Sequence, residues 1–69
     1  MNEYTVIDCR AAVINSEQTI KARSPEEAAM LAIGEPLARG GHHRHLVCRV
    51  YWHHEGQKNM VRLYAKAAA

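Results

Sequence analysis

Several kinds of sequence are missing from this chain, and each absence excludes a class of protein. No apolar run approaches the ~20 residues that a helix needs to cross a bilayer. The start, Met1-Asn2-Glu3-Tyr4, lacks the basic-then-apolar order of a secretory leader. There are two cysteines, Cys9 and Cys48, and no C-x-x-C pair, so no disulfide scaffold is expected. Both thiols fall at apolar positions of strand-like segments and read as reduced core residues in a cytoplasmic setting. No glycine-rich phosphate loop, nucleophile motif or paired-carboxylate spacing is present, so no enzyme and no catalytic residue are expected. Internal repeats, linkers and low-complexity stretches are absent too.

What remains is 69 residues with a net charge of only +2. That length suffices for one small domain with a modest core, and the expected stability is marginal, about 3–5 kcal/mol. The terminal Ala67-Ala68-Ala69 is assigned to a tail or expression scar outside a domain of residues 1–66.

The strongest local signal is Ser24-Pro25-Glu26-Glu27. Ser24 is a good N-cap, Pro25 fits the first helical position, and Glu27 is spaced to reach back to the cap's own N–H. Both glutamates suit the positive end of the helix dipole. A helix is therefore predicted over Pro25–Ile33, with Ala28, Leu31 and Ala32 as its apolar stripe and Ile33 or Ala29 widening it. Gly34 and Pro36 end it, and Leu37-Ala38-Arg39 is expected to add one further turn.

On either side the pattern alternates with the period of a strand. In residues 4–14, Ile7, Cys9, Ala11 and Val13 are assigned inward, with Asp8 and Arg10 outward. After a turn at Asn15-Ser16-Glu17, residues 18–23 place Ile20 and Ala22 inward, with Thr19, Lys21 and Arg23 outward. Beyond the loop at Gly40-Gly41, a third strand carries Leu46, Cys48, Val50 and Trp52 on one face. Val47, Arg49, Tyr51 and His53 take the other. A turn at Glu55-Gly56-Gln57 leads to a last strand over residues 60–66. There Val61, Leu63 and Ala65 point inward, and Met60, Arg62, Tyr64 and Lys66 outward. The expected fold is α+β, in the order β-β-α-β-β: one antiparallel four-stranded sheet with a single helix on one face. Leu31, Ile7, Cys48, Val50, Trp52 and Leu63 form its expected core.

The outward positions collect six of the nine basic residues, Arg10, Lys21, Arg23, Arg49, Arg62 and Lys66, with Tyr51 and Tyr64 among them. Solvated sheet faces ordinarily carry such residues. The excess of one charge sign is what points beyond solvation, to an anionic and partly planar partner: Arg and Lys meet phosphates, and tyrosines stack on bases. A second copy of the chain is another candidate for that face. The five histidines form two groups. Strand-borne His45 and His53 would lie about 26 Å apart at 3.3 Å per residue, too far to share one metal. His42, His43 and His45 have no acidic neighbour nearby in sequence to support a site of their own. No metal and no cofactor are therefore expected.

The tyrosine-led first strand, the turn Ile14-Asn15-Ser16-Glu17, the short second strand, and Ala22-Arg23-Ser24 leading into an alanine-bearing helix together resemble small phage-encoded anti-CRISPR proteins. The likeness is to type I-F inhibitors with one helix on an antiparallel sheet, and it covers about the first half of the chain. It implies a stoichiometric inhibitor docking on a crRNA-guided surveillance complex. The helix here opens on Glu26-Glu27 rather than basic contact residues, so none of that family's helix contacts transfers. Two expectations follow: a small binding protein that blocks a nucleoprotein complex, or a small domain that binds DNA or RNA directly. In both, the binding residues are Arg10, Lys21, Arg23, Arg49, Tyr51, Arg62, Tyr64 and Lys66.

Overall fold

Residues 1–10 and 17–66 are described by the structure, a computed structural model. The expectations for Ala11, Val13, Asn15 and Ser16, and for the tail 67–69, fall outside those residues. In chain order the elements are β1 (Asn2–Asp8), β2 (Glu17–Ala22), α1 (Pro25–Ile33), β3 (Leu37–Ala38), a 3₁₀ turn at His43–His45, β4 (Leu46–His54) and β5 (Gln57–Ala65). The strands pair antiparallel in the order β2-β1-β4-β5-β3. The fold is α+β with one helix, as the sequence suggests, but the sheet has five strands rather than four.

The helix is built locally. Ser24 Oγ accepts from the Glu27 N–H at 3.1 Å, and Gly34 closes the C-terminus at φ 89° with its N–H donating to Met30 O. Glu27 reaches back one residue further than the capping pattern suggests, its carboxylate accepting from the Arg23 N–H at 3.2 Å. The β4–β5 hairpin turns through Glu55 and Gly56, both at positive φ, between the paired residues His54 and Gln57. This is a two-residue turn whose twist matches its strands.

Between helix and sheet lie Tyr4, Val6, Ala22, Ala28, Ala29, Leu37, Val47, Cys48, Val50 and Leu63, all buried. Trp52 is half-buried, edge-on to Tyr4 at 5.5 Å between ring centroids. Four expectations are corrected. The first concerns β1, whose side chains alternate in the opposite sense to the one expected. Tyr4 and Val6 face the helix, while Ile7 pairs with Arg49 and is half-buried on the other face. Asp8 and Arg10 therefore lie on the helix side. Residues 4–7, Tyr-Thr-Val-Ile, offer apolar side chains at both parities, and only the pairing with β4 decides between them.

The second correction is Leu31, which is 61% exposed. The sheet-facing side of α1 is Pro25, Ala28 and Ala29 instead, with Ala32 and Ile33 packed at its margin. Small side chains bring the helix close to the sheet and turn Leu31 away. Third, Leu37 and Ala38 form an edge strand on β5 rather than a helical turn. Burying Leu37 in the core accounts for that choice. Fourth, a register shift between Leu46 and Cys48 breaks the alternation of β4. Val47 and Cys48 are consequently both buried.

Burial pushes the Cys48 thiol up from 9.0 to about 11. Because the folded value is the higher one, this group's stabilising contribution is complete below about pH 9 and is lost as the pH rises through about 11. Urea unfolding at pH 8, 9.5 and 10.5 is expected to show falling stability, with a shallower fall in Cys48→Val. Parallel profiles for the two proteins would contradict this.

Candidate binding face of the sheet

Residues directly opposite in an antiparallel pair share a face, so the register defines the sheet surface away from α1. Three rows cross it from β2 through β1 to β4. They are Glu17, Ile7 and Arg49; then Thr19, Thr5 and Tyr51; then Lys21 and Glu3, with His53 at the same parity on β4. On β5, Arg62 stands opposite Arg49, Met60 opposite Tyr51, and Lys58 opposite His53.

The two halves of this face differ. The β2–β1 half carries Glu3 and Glu17 as well as Lys21, and an open depression of ≈380 Å³ lies over its junction with β4. Both signs of charge line it: Glu3 and Glu17 against Lys58. The β4–β5 half is cationic. Arg49 and Arg62 are cross-strand neighbours, and neither pairs with a carboxylate among the described residues. Like charges directly opposite repel. Arg49 is half-buried with its Nε enclosed and without a partner, and the neighbouring Cys9 thiol and Tyr51 raise its pKa further. It is thus charged at every working pH. Beside the pair, Lys58 Nζ sits 4.9 Å from the centre of the Tyr51 ring, a cation–π contact.

Of the eight residues expected to bind, the structure brings Arg49, Tyr51 and Arg62 together. Tyr64 follows Arg62 at the next position of the same face, but it is half-buried against Gly41. Lys21 stands at the far side, on β2, opposite Glu3. Arg23 is exposed in the bend before α1, and Lys66 is exposed past the end of β5. Arg10 leaves the group. Its Nη1 lies 2.9 Å from Glu35 Oε1 beyond the helix C-terminus, an ion pair by distance although that oxygen receives no aligned hydrogen bond.

The expected asymmetry of charge is weaker than the sequence suggests, since Arg10 departs and Glu3 and Glu17 join the face. On the helix side Arg39 donates from Nε and Nη2 to the two carboxylate oxygens of Glu26. That hydrogen bonding lowers the Glu26 pKa. Lys58 lies outside the last strand expected from the sequence, which begins at Met60, whereas β5 begins at Gln57. Starting it at Gln57, just after the Glu55-Gly56 turn, places Lys58 beside Tyr51.

A cβ added at Gly41 would lie 2.9 Å from Tyr64 Cβ. Gly41→Ala is expected to cost about 1–2 kcal/mol through this overpacking and to shift the Tyr64 ring resonances. Unchanged resonances and melting temperature would contradict the contact. The adjoining loop holds His42, His43 and His45, with ring centroids 4.2 Å apart for His42–His43 and 6.2 Å for His42–His45. His42 Nδ1 accepts from the Arg44 N–H. Among the described residues no group of three or more His, Cys, Asp or Glu is placed to hold a metal ion. A chelator is expected to leave the melting temperature unchanged. A drop of about ten degrees, restored by zinc, would contradict this.

No helix of the described residues is long and apolar enough to cross a membrane. Compared with protein families, characterised proteins and solved structures, the chain matches none of them.

Proposed function

We propose that the protein is a non-catalytic binding protein that docks through the β4–β5 half of its outer sheet face on an anionic surface of a nucleoprotein complex. The observation that carries this reading is the Arg49–Arg62 pair: two adjacent guanidiniums with no carboxylate partner among the described residues, one with an enclosed, unpartnered Nε. A phosphate or carboxylate placed between them would accept several charge-assisted hydrogen bonds and relieve their repulsion. Tyr51 supplies a ring beside the pair, and Met60 an apolar neighbour. Arginines do not shuttle protons at neutral pH, so the site binds rather than reacts.

The resemblance to type I-F anti-CRISPR proteins makes a type I crRNA-guided surveillance complex the first partner to test, with this chain as its inhibitor. The competing reading is a domain that binds bare DNA or RNA directly. Titration against the assembled complex and against bare RNA and duplex DNA, over a range of salt, separates the two. Direct nucleic-acid binding would give a log–log salt slope of about −3 for three or four phosphate contacts. The proposal expects tight binding to the complex and weak binding to the bare polymers. The reverse order would replace it with the second reading.

A further inference from the structure

We propose that the chain forms a two-fold dimer by pairing β2 with β2 of a second copy, which joins the two sheets into one of ten strands. This goes beyond the binding reading and does not depend on it. β2 is an edge strand with no neighbour on its outer side among the described residues. An exposed edge is a template for another strand because its N–H and C=O groups lack partners. Proteins blunt such edges with proline, bulges, very short strands or charged side chains, above all lysine. The opposite edge is blunted in this way, since β3 has only two residues. By contrast β2 has six residues, Glu-Gln-Thr-Ile-Lys-Ala, with no proline, glycine or bulge. Its charges are Glu17 and Lys21, one of each sign, which can complement those of a second copy.

The sequence of β2 complements itself in one register. With Thr19 opposite Thr19 of the second copy, Glu17 stands opposite the copy's Lys21, and Lys21 opposite its Glu17. All of these are outer-face residues. Opposite charges and threonine pairs are favourable cross-strand neighbours. A slip of two residues one way leaves Lys21 without a charge partner; the other way sets Glu17 against Arg23, which lies in the bend past the end of β2, so only this register forms both charge pairs within the strand itself. Glu17 also gains a cation opposite it, where its cross-strand partner on β1 is the apolar Ile7.

The helix agrees with this arrangement. Glu26 reaches Arg39, just past β3, and so marks the flank of α1 that looks to the β3 edge. Leu31, five residues on, is rotated about 140° from Glu26 at 3.6 residues per turn. It takes the other flank, on the side of β2, and is 61% exposed. A two-fold axis normal to the sheet places both helices on one side, with the two Leu31 side chains turned toward the junction. On the other side, the two Arg49 strands stand five strand spacings apart, about 24 Å.

A six-residue edge buries little area, so the expected dissociation constant is on the order of 100 μM. Sedimentation equilibrium up to about 1 mM should show a monomer–dimer equilibrium. Thr19→Lys sets two lysines against each other at the axis, while its nearest outer-face neighbour within the chain is Thr5. It should weaken the dimer by about tenfold or more and leave the circular dichroism spectrum unchanged. In a Cys9→Ser background, Thr19→Cys should form an intermolecular disulfide under mild oxidation, because directly opposed residues stand within disulfide reach. Lys21→Cys, facing Glu17 of the copy, should not. A chain that stays monomeric at about 1 mM, or a dimer indifferent to Thr19→Lys that Thr19→Cys does not cross-link, would overturn the proposal.

Discussion

Leu63→Ala is expected to remove about 3–4 kcal/mol, most or all of the stability of the domain. Leu63 is fully buried and is the largest of the completely enclosed side chains among the described residues. It stands opposite Cys48 on β4, within the core that α1 covers. Truncation of a side chain enclosed on all sides loses its transfer free energy and adds the cost of whatever cavity the core does not refill. Leu31→Ala is the contrast. Its side chain is mostly in water, and the expected cost is below about 1 kcal/mol. Urea unfolding of the two variants checks both values. Equal losses, or a larger loss at Leu31, would mean that the helix packs on the sheet through a different face.

Reversing charge at both arginines, Arg49→Glu with Arg62→Glu, is expected to abolish partner binding while the fold survives. The two residues are neighbours on the outer face, and neither is tied to a carboxylate among the described residues. Substitution there breaks no ion pair of the fold. Two glutamates at the same positions would repel an anionic partner instead of attracting it, which costs more than deleting the charges. The control reverses the other side of the molecule. Glu26→Arg with Glu27→Arg removes the Arg39 pair and the carboxylate that accepts from the Arg23 N–H, so it should soften the helix start and leave binding intact. Loss of binding only in the helix variant would move the docking surface to α1 and leave the sheet face merely solvated.

Local chemistry made part of this molecule legible in the sequence. Ser24, Pro25 and Gly34 define the helix ends through interactions within a few residues, and Gly56 does the same for the last hairpin. Val50 and Leu63 alternate with Arg49, Tyr51, Arg62 and Tyr64, so their burial could be read directly. What failed depends on pairing between distant segments. The facing of β1 is set by β4, roughly forty residues away in the chain, because Thr5, Val6 and Ile7 suit either side. The two-residue strand at Leu37 exists only because β5 offers it an edge. Leu31 misled because hydropathy ranks leucine above alanine, whereas close packing of helix on sheet favours the smaller side chain. The reversed facing of β1 misplaced Arg10 and concealed Glu3, and the assignment of residue 17 to the preceding turn concealed Glu17. The Arg49, Tyr51 and Arg62 group was recoverable because it rests on β4 and β5 alone.

The most direct test of the docking face uses two exposed methionines. Met60 is 38% exposed on the outer sheet face beside Tyr51, and Met30 is 46% exposed on the solvent side of α1. Oxidative footprinting, with and without the captured partner, reads both faces in one experiment. Protection of Met60 with Met30 still reactive is the result expected here. Protection of Met30 with Met60 unchanged would contradict the assignment of the sheet face as the binding surface.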